Sequence, residues 1–135
     1  IDNGIDLTQK YNVENQVEFL GWVNGDDKDK VFRHASIYCL PSYSEGFPMG
    51  VLDAWAYHLP VITTPVGGIP DVGIDGENML LFTPGEVSDL SEKIEMLLTD
   101  STLYDKIQSA SMFFSSKIFN INNVTRRLSE IYTSL

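Results

Sequence analysis

Apolar residues are spaced along this chain in two different rhythms. Between residues 17 and 82 they form near-continuous blocks, at 17–20, 37–40, 60–64 and 79–82, bounded by glycine, proline, asparagine or serine. Blocks of that length without strict alternation fit strands buried on both faces. Segments of helical period lie between them. A short one runs through Val31, Phe32 and Ala35, with Asp26 or Asp27 available to cap it. Another covers residues 49–57 behind Pro48, read as the first helical residue because its missing N–H costs nothing there. Strands alternating with helices across short links predict an α/β fold, a Rossmann-like parallel sheet with helices on both faces.

From Val87 the period is helical throughout, so the C-terminal part is expected to be all helical. Val87, Leu90, Ile94 and Leu97 share one face, and Leu103, Ile107, Ala110 and Phe114 share another. Ile121, Val124, Leu128, Ile131 and Leu135 make a third stripe, expected to pack on the domain's own sheet, with a partner surface as the alternative. The chain reads as a single domain over residues 1–135, with 87–135 a helical C-terminal extension. Residues 1–10 carry no clear starting motif, 11–16 read as the loop before the first strand, and there is no internal repeat.

Composition narrows the possible ligands. With 135 residues and 43% hydrophobic side chains, one sizeable core is within reach. Nine basic against nineteen acidic residues give a net charge of −10, which argues against nucleic acid and against docking on anionic lipid. An anionic ligand would then be held locally, by backbone amides. The single cysteine, Cys39, lies in the apolar run Ile37-Tyr38-Cys39-Leu40 and reads as a buried thiol rather than a nucleophile. No signal peptide and no apolar stretch near the roughly 20 residues of a membrane span are seen, so the expected compartment is the cytoplasm.

Chemistry concentrates between Ser42 and Pro60. Glu45 stands in a loop beside Gly46, and Asp53 follows within the helix that Pro48 opens. Two carboxylates thus flank a helix N-terminus, whose free N–H groups and positive dipole end suit a phosphate or another anion. Taken alone, Glu45 would read as a solvated cap and Asp53 as an ordinary exposed helix residue. Trp55 and Tyr57 read as packing residues, and His34 as a surface residue. His58 sits where a helix C-cap favours a left-handed conformation.

Five segments taken in order carry a resemblance. They are Phe19-Leu20-Gly21-Trp22-Val23; Pro41-Ser42-Tyr43-Ser44-Glu45-Gly46-Phe47-Pro48; Leu52-Asp53-Ala54-Trp55-Ala56; Pro60-Val61-Ile62; and Gly67-Gly68. Together they resemble the C-terminal, donor-binding domain of the family 4 retaining glycosyltransferases, enzymes of two-domain GT-B architecture. The match runs from about Val17 to Phe82. The resemblance implies one half of a GT-B enzyme that moves a sugar from a nucleoside diphosphate sugar, of UDP or GDP type, to an acceptor with retention, in polysaccharide or glycan synthesis. It implies no cofactor and no metal, and no Asp-x-Asp motif lies near the site. By position it implies that Glu45, the catalytic candidate, contacts donor-sugar hydroxyls, and that Gly46, Phe47 and Pro48 line the sugar. The amides of Met49 and Gly50 would then face the diphosphate.

Asp53 takes the ribose-binding position, where the family usually has the longer glutamate. Gly21, Trp22 and Val23 match the nucleobase pocket, and Gly67 and Gly68 match a loop that approaches the donor, where a missing Cβ would help. His58 and Met79 replace glycines of the pattern and read as local backbone adjustments. Asp71 stands where the family has glutamate, either as a cap for the next turn or as a ligand contact. An Arg and a Lys that the family supplies just before position 17 are not found. The chain is therefore expected to be a truncated nucleotide-sugar-binding domain, inactive alone, its partner an N-terminal acceptor-binding domain through which any contact with the inner face of the membrane would be made. A non-catalytic nucleotide-sugar-binding or assembly module is the alternative.

Overall fold

The computed structural model describes residues 2–118 and 120–134, so Leu135 of the third stripe lies outside the described residues. The chain forms two compact units, residues 1–33 and 34–135.

The first unit begins with helix α1, Asp2–Lys10, where the sequence offered no element. Phe19 lies over Gly4, where a Cβ would stand only 2.9 Å from the ring. Residues 17–20 adopt no strand, contrary to the expectation from their apolar run, and Val17, Phe19 and Leu20 are exposed. Helix α2, Gly25–His34, starts before both candidate caps, so Asp26 and Asp27 fall in its first turn, where their charges complement the dipole.

The second unit holds a three-stranded parallel sheet in the order β1 (Tyr38–Leu40), β2 (Val61–Thr63), β3 (Leu80–Leu81). Tyr38 is opposite Val61, and Ile62 is opposite Leu80. The strands are shorter than their apolar runs. Backbone bonding nevertheless continues past the strand ends, through Tyr38 N–H to Pro60 O (2.9 Å) and Phe82 N–H to Thr63 O (3.1 Å). Because side chains alternate along a strand, neighbours in register send Ile62 and Leu80 to one face and Tyr38 and Val61 to the other.

The first face is closed by α4 (Val87–Thr99) and α5 (Ser101–Phe113), which complete a core of Ile62, Leu80, Phe82, Leu97 and Ile107. On the opposite face lies α3 (Met49–Ala56), with Val51, Ala54 and Trp55 fully buried. Trp55 packs its ring on Phe114, with centroids 5.0 Å apart, as a packing role requires. Ser111, buried in α5, donates to Leu59 O at 3.0 Å and so fastens α5 to the entry of β2. His58 has φ +61, the left-handed cap its position suggested, and releases the chain from α3.

Two expectations are corrected here. Cys39 is exposed, on the edge strand of the sheet. Partial desolvation raises its thiol pKa, which keeps it protonated and a poor nucleophile. The third apolar stripe does not pack on the sheet. A π-helical stretch, Phe114–Ile118, intervenes before α6 (Ile121–Thr133), and Ile121 (71%), Leu128 (49%) and Ile131 (56%) remain exposed. Among the described residues no helix is long and apolar enough to cross a membrane.

Candidate functional site

The site grows from the ends of β1 and β2. Pro41 follows β1 directly and, lacking an N–H, cannot donate to a continuing ladder, so the chain leaves the sheet as a loop. That loop is tied at two points. Thr64, buried just after β2, donates its hydroxyl to Ser42 O at 2.5 Å. The Ser42 hydroxyl in turn donates to Glu45 Oε1, also at 2.5 Å. The Glu45 carboxylate is thereby anchored through Ser42 to the sheet, and its second oxygen leaves further acceptor capacity.

Pro48 is the N-cap of α3 and not its first helical residue. Its ψ of 110° keeps it extended, so the helix begins at Met49. No side chain caps this end, and the Val51 N–H is taken by Pro48 O at 3.0 Å. In a first helical turn N–H groups have no helix carbonyl of their own. At this end those are the amides of Met49 and Gly50.

The Gly67–Gly68 loop closes on the Glu45 loop. Gly68 N–H donates to Gly46 O at 2.6 Å. Gly67 has φ +58, and a Cβ there would run into the carbonyl oxygens of both Glu45 and Gly46 and come within 2.8 Å of the Glu45 carbonyl carbon. A Cβ on Gly68 would meet Phe47 Cδ2 at 2.7 Å. These glycines are therefore required by the packing of one loop on the other, a reason distinct from close approach to a ligand. Asp71 ends a 3-10 turn, Ile69–Asp71, and is exposed.

Beneath α3, Tyr38 of β1 reaches up so that a Cβ on Gly50 would collide with its hydroxyl and stand 3.0 Å from Cζ. Burial raises the Tyr38 pKa most, and the charges of Asp53 and then Glu45 raise it further. Both carboxylates therefore act on the same phenol. Glu45, Gly46, Phe47, Pro48, Met49, Gly50, Asp53, Gly67 and Gly68 all belong to this neighbourhood of the second unit. Gly21 (φ +66), Trp22 (91% exposed) and Val23 belong to the first unit. Beside the Glu45 loop, Pro41, Tyr43, Phe82, Val87 and Leu90 line a shallow apolar hollow of about 150 Å³.

Three residues of the site had no role assigned from sequence: Ser42, Thr64 and Tyr38. Ser42 stood three residues before Glu45, a spacing at which a hydroxyl meets a carboxylate, and that was the available signal. Thr64 and Tyr38 read as strand residues, and their roles appear only when the strands are laid side by side.

A parallel sheet with helices on both faces, and loops converging at the strand ends, is a Rossmann-like arrangement, consistent with one half of a GT-B fold. Residues 2–112 match the family described as glycosyl transferases group 1, and the chain belongs to it. It is 34% identical over 119 residues to an uncharacterized glycosyltransferase of Methanocaldococcus jannaschii, covering 88% of this chain and 34% of that one. It is 33% identical over 96 residues to the sulfoquinovosyl transferase SQD2 of Arabidopsis thaliana, covering 69% of this chain and 19% of that one. Among solved structures it is similar to HepE of Anabaena in complex with UDP, at TM-score 0.89 and 24% identity, over 99% of this chain and 36% of that one. HepE has also been solved with UDP-glucose. The chain thus spans between 19% and 36% of the length of these relatives.

Proposed function

We propose that these residues are the donor-binding part of a glycosyltransferase that moves a sugar from a UDP- or GDP-type nucleoside diphosphate to an acceptor with retention, in polysaccharide or glycan synthesis. The observation that carries this reading is the convergence of the Glu45 loop, the Gly67–Gly68 loop and the first turn of α3. They meet beyond the carboxyl ends of parallel strands, where open α/β sheets take their ligands.

In this reading the roles follow the chemistry of each group. Glu45, held by Ser42, accepts from sugar hydroxyls. Gly46, Phe47 and Pro48 line the sugar. The Met49 and Gly50 amides, with the helix dipole behind them, hold the diphosphate as negative charge grows on it. Asp53 accepts from the ribose, through a water where its shorter side chain falls short. Gly21, Trp22 and Val23 recognise the base, and Gly67 and Gly68 keep the Glu45 loop in register. No metal or cofactor takes part.

The acceptor site and the cations that complete stabilisation of the leaving diphosphate are assigned to other residues of the protein, in an N-terminal acceptor-binding domain. Any contact with the inner, cytoplasmic face of the membrane is made there too. The large part of each relative that lies outside the match, about two-thirds or more, supports this division. These 135 residues alone are expected to form a single donor-binding domain that does not transfer sugar.

Titration of UDP, GDP and their glucose conjugates against wild type and Glu45→Ala tests the reading. Wild type should prefer a nucleotide sugar to the bare nucleotide, and the variant should lose that preference while keeping nucleotide affinity. Absence of nucleotide binding by folded wild type would sink it in favour of an assembly module.

A further inference from the structure

The contact between Tyr38 and Gly50 joins the edge strand β1 to the helix end assigned to the diphosphate. Gly50 is the second residue of α3, and the space its missing side chain leaves is occupied by the Tyr38 hydroxyl. An ordinary strand residue would end at the aliphatic layer between sheet and helix. Tyr38 passes through that layer and ends under the first helical turn, on the same side of the sheet as Val61.

We propose that Tyr38 is a positioning residue for the diphosphate. Its hydroxyl holds the first turn of α3 at a fixed height over β1, and so sets where the Met49 and Gly50 amides stand relative to Glu45 and Asp53. This rests on the donor-binding reading above. Two features of the surroundings support it. The phenol is within electrostatic reach of both carboxylates, Asp53 more strongly than Glu45. It also stays neutral, because burial and then the negative charges of Asp53 and Glu45 oppose its ionisation, and no phenolate forms beneath a bound diphosphate. The first turn of α3 has no side-chain cap, and the Tyr38 hydroxyl stands directly against its Gly50.

The test uses Tyr38→Phe, Gly50→Ala and the double variant in the purified protein. It measures affinity for UDP and for GDP, and for uridine and guanosine as probes lacking the phosphates. Gly50→Ala forces α3 away from β1 and should weaken the preferred nucleoside diphosphate about tenfold or more, the scale of one lost hydrogen bond to a charged group. The matching nucleoside should change by less than about twofold, since it makes no phosphate contact. Tyr38→Phe keeps the ring and should weaken the diphosphate by a smaller factor. The double variant removes the colliding oxygen and should recover affinity towards that of Tyr38→Phe, a rescue that general destabilisation would not produce.

The proposal is overturned if Tyr38→Phe binds the diphosphate as wild type does, if nucleoside and diphosphate weaken equally, or if the folded double variant binds no better than Gly50→Ala. Should Gly50→Ala fail to fold, recovery of a folded, diphosphate-binding protein in the double variant supports the proposal, and failure of that recovery overturns it. A folded wild type that binds neither UDP nor GDP overturns the donor-binding reading itself and this inference with it.

Discussion

Replacing Gly67 with alanine isolates the junction on which the site depends. Two costs combine. At φ +58 an L-residue sits in the left-handed region, at about 1–2 kcal/mol. The new Cβ also overlaps the Glu45 and Gly46 carbonyls, which are backbone atoms and cannot rotate aside. To relieve the overlap the loops must part, which breaks the bond from Gly68 N–H to Gly46 O and forfeits about 0.5–1.5 kcal/mol more. The total is about 1.5–3.5 kcal/mol. Gly76→Ala is the matched control: its φ of +69 is equally left-handed, but nothing lies within 4 Å of the added Cβ, so it bears only the conformational cost. Urea denaturation of both variants, compared at constant slope, should place Gly67→Ala below Gly76→Ala by about 0.5–1.5 kcal/mol. Nucleotide-sugar affinity should fall in Gly67→Ala alone. If the two variants lose equal stability, the loops are not held together as described.

Trp55→Ala should cost about 3–5 kcal/mol in a denaturant or thermal melt, because the ring is fully buried against Phe114 and leaves a cavity under α3. Asp100→Ala should cost about 1 kcal/mol, since the carboxylate caps α5 by accepting from Leu103 N–H at 3.0 Å. Asp89 accepts from Thr83 N–H at 2.7 Å, and this backbone bond lowers its pKa below the usual carboxylate value. A group depressed in the folded state stabilises above its unfolded pKa and loses that contribution as pH falls through the folded value. The acid limb of the stability curve, below about pH 4, should therefore be flatter in Asp89→Asn than in wild type.

The buried parts of the fold were the most readable from sequence, and for a physical reason. Val61, Ile62 and Thr63 are enclosed on both faces, so their apolar run had one structural solution. The run at 17–20 looked alike but forms no strand, since an apolar block does not specify a partner to pair with. Helix α1 was hidden by its polar composition, and α6 was legible as an amphipathic helix although its period could not say what covers Ile121 or Leu128. At the site, Glu45, Asp53 and the helix start were visible as local spacing. The anchoring of Glu45 through Ser42 to Thr64, the loop contact at Gly67 and the seat of Tyr38 under Gly50 were not. Each joins residues more than ten positions apart, and such contacts exist only once the parallel register is set.

The donor-binding claim is tested most directly by following the backbone amides in ¹H–¹⁵N spectra as UDP or GDP is added to the protein. The largest shifts are expected at Met49 and Gly50, with smaller ones at Gly46, Gly67 and Gly68. Shifts concentrated instead around Tyr43, Val87 and Leu90, or absent from a folded protein, would contradict it.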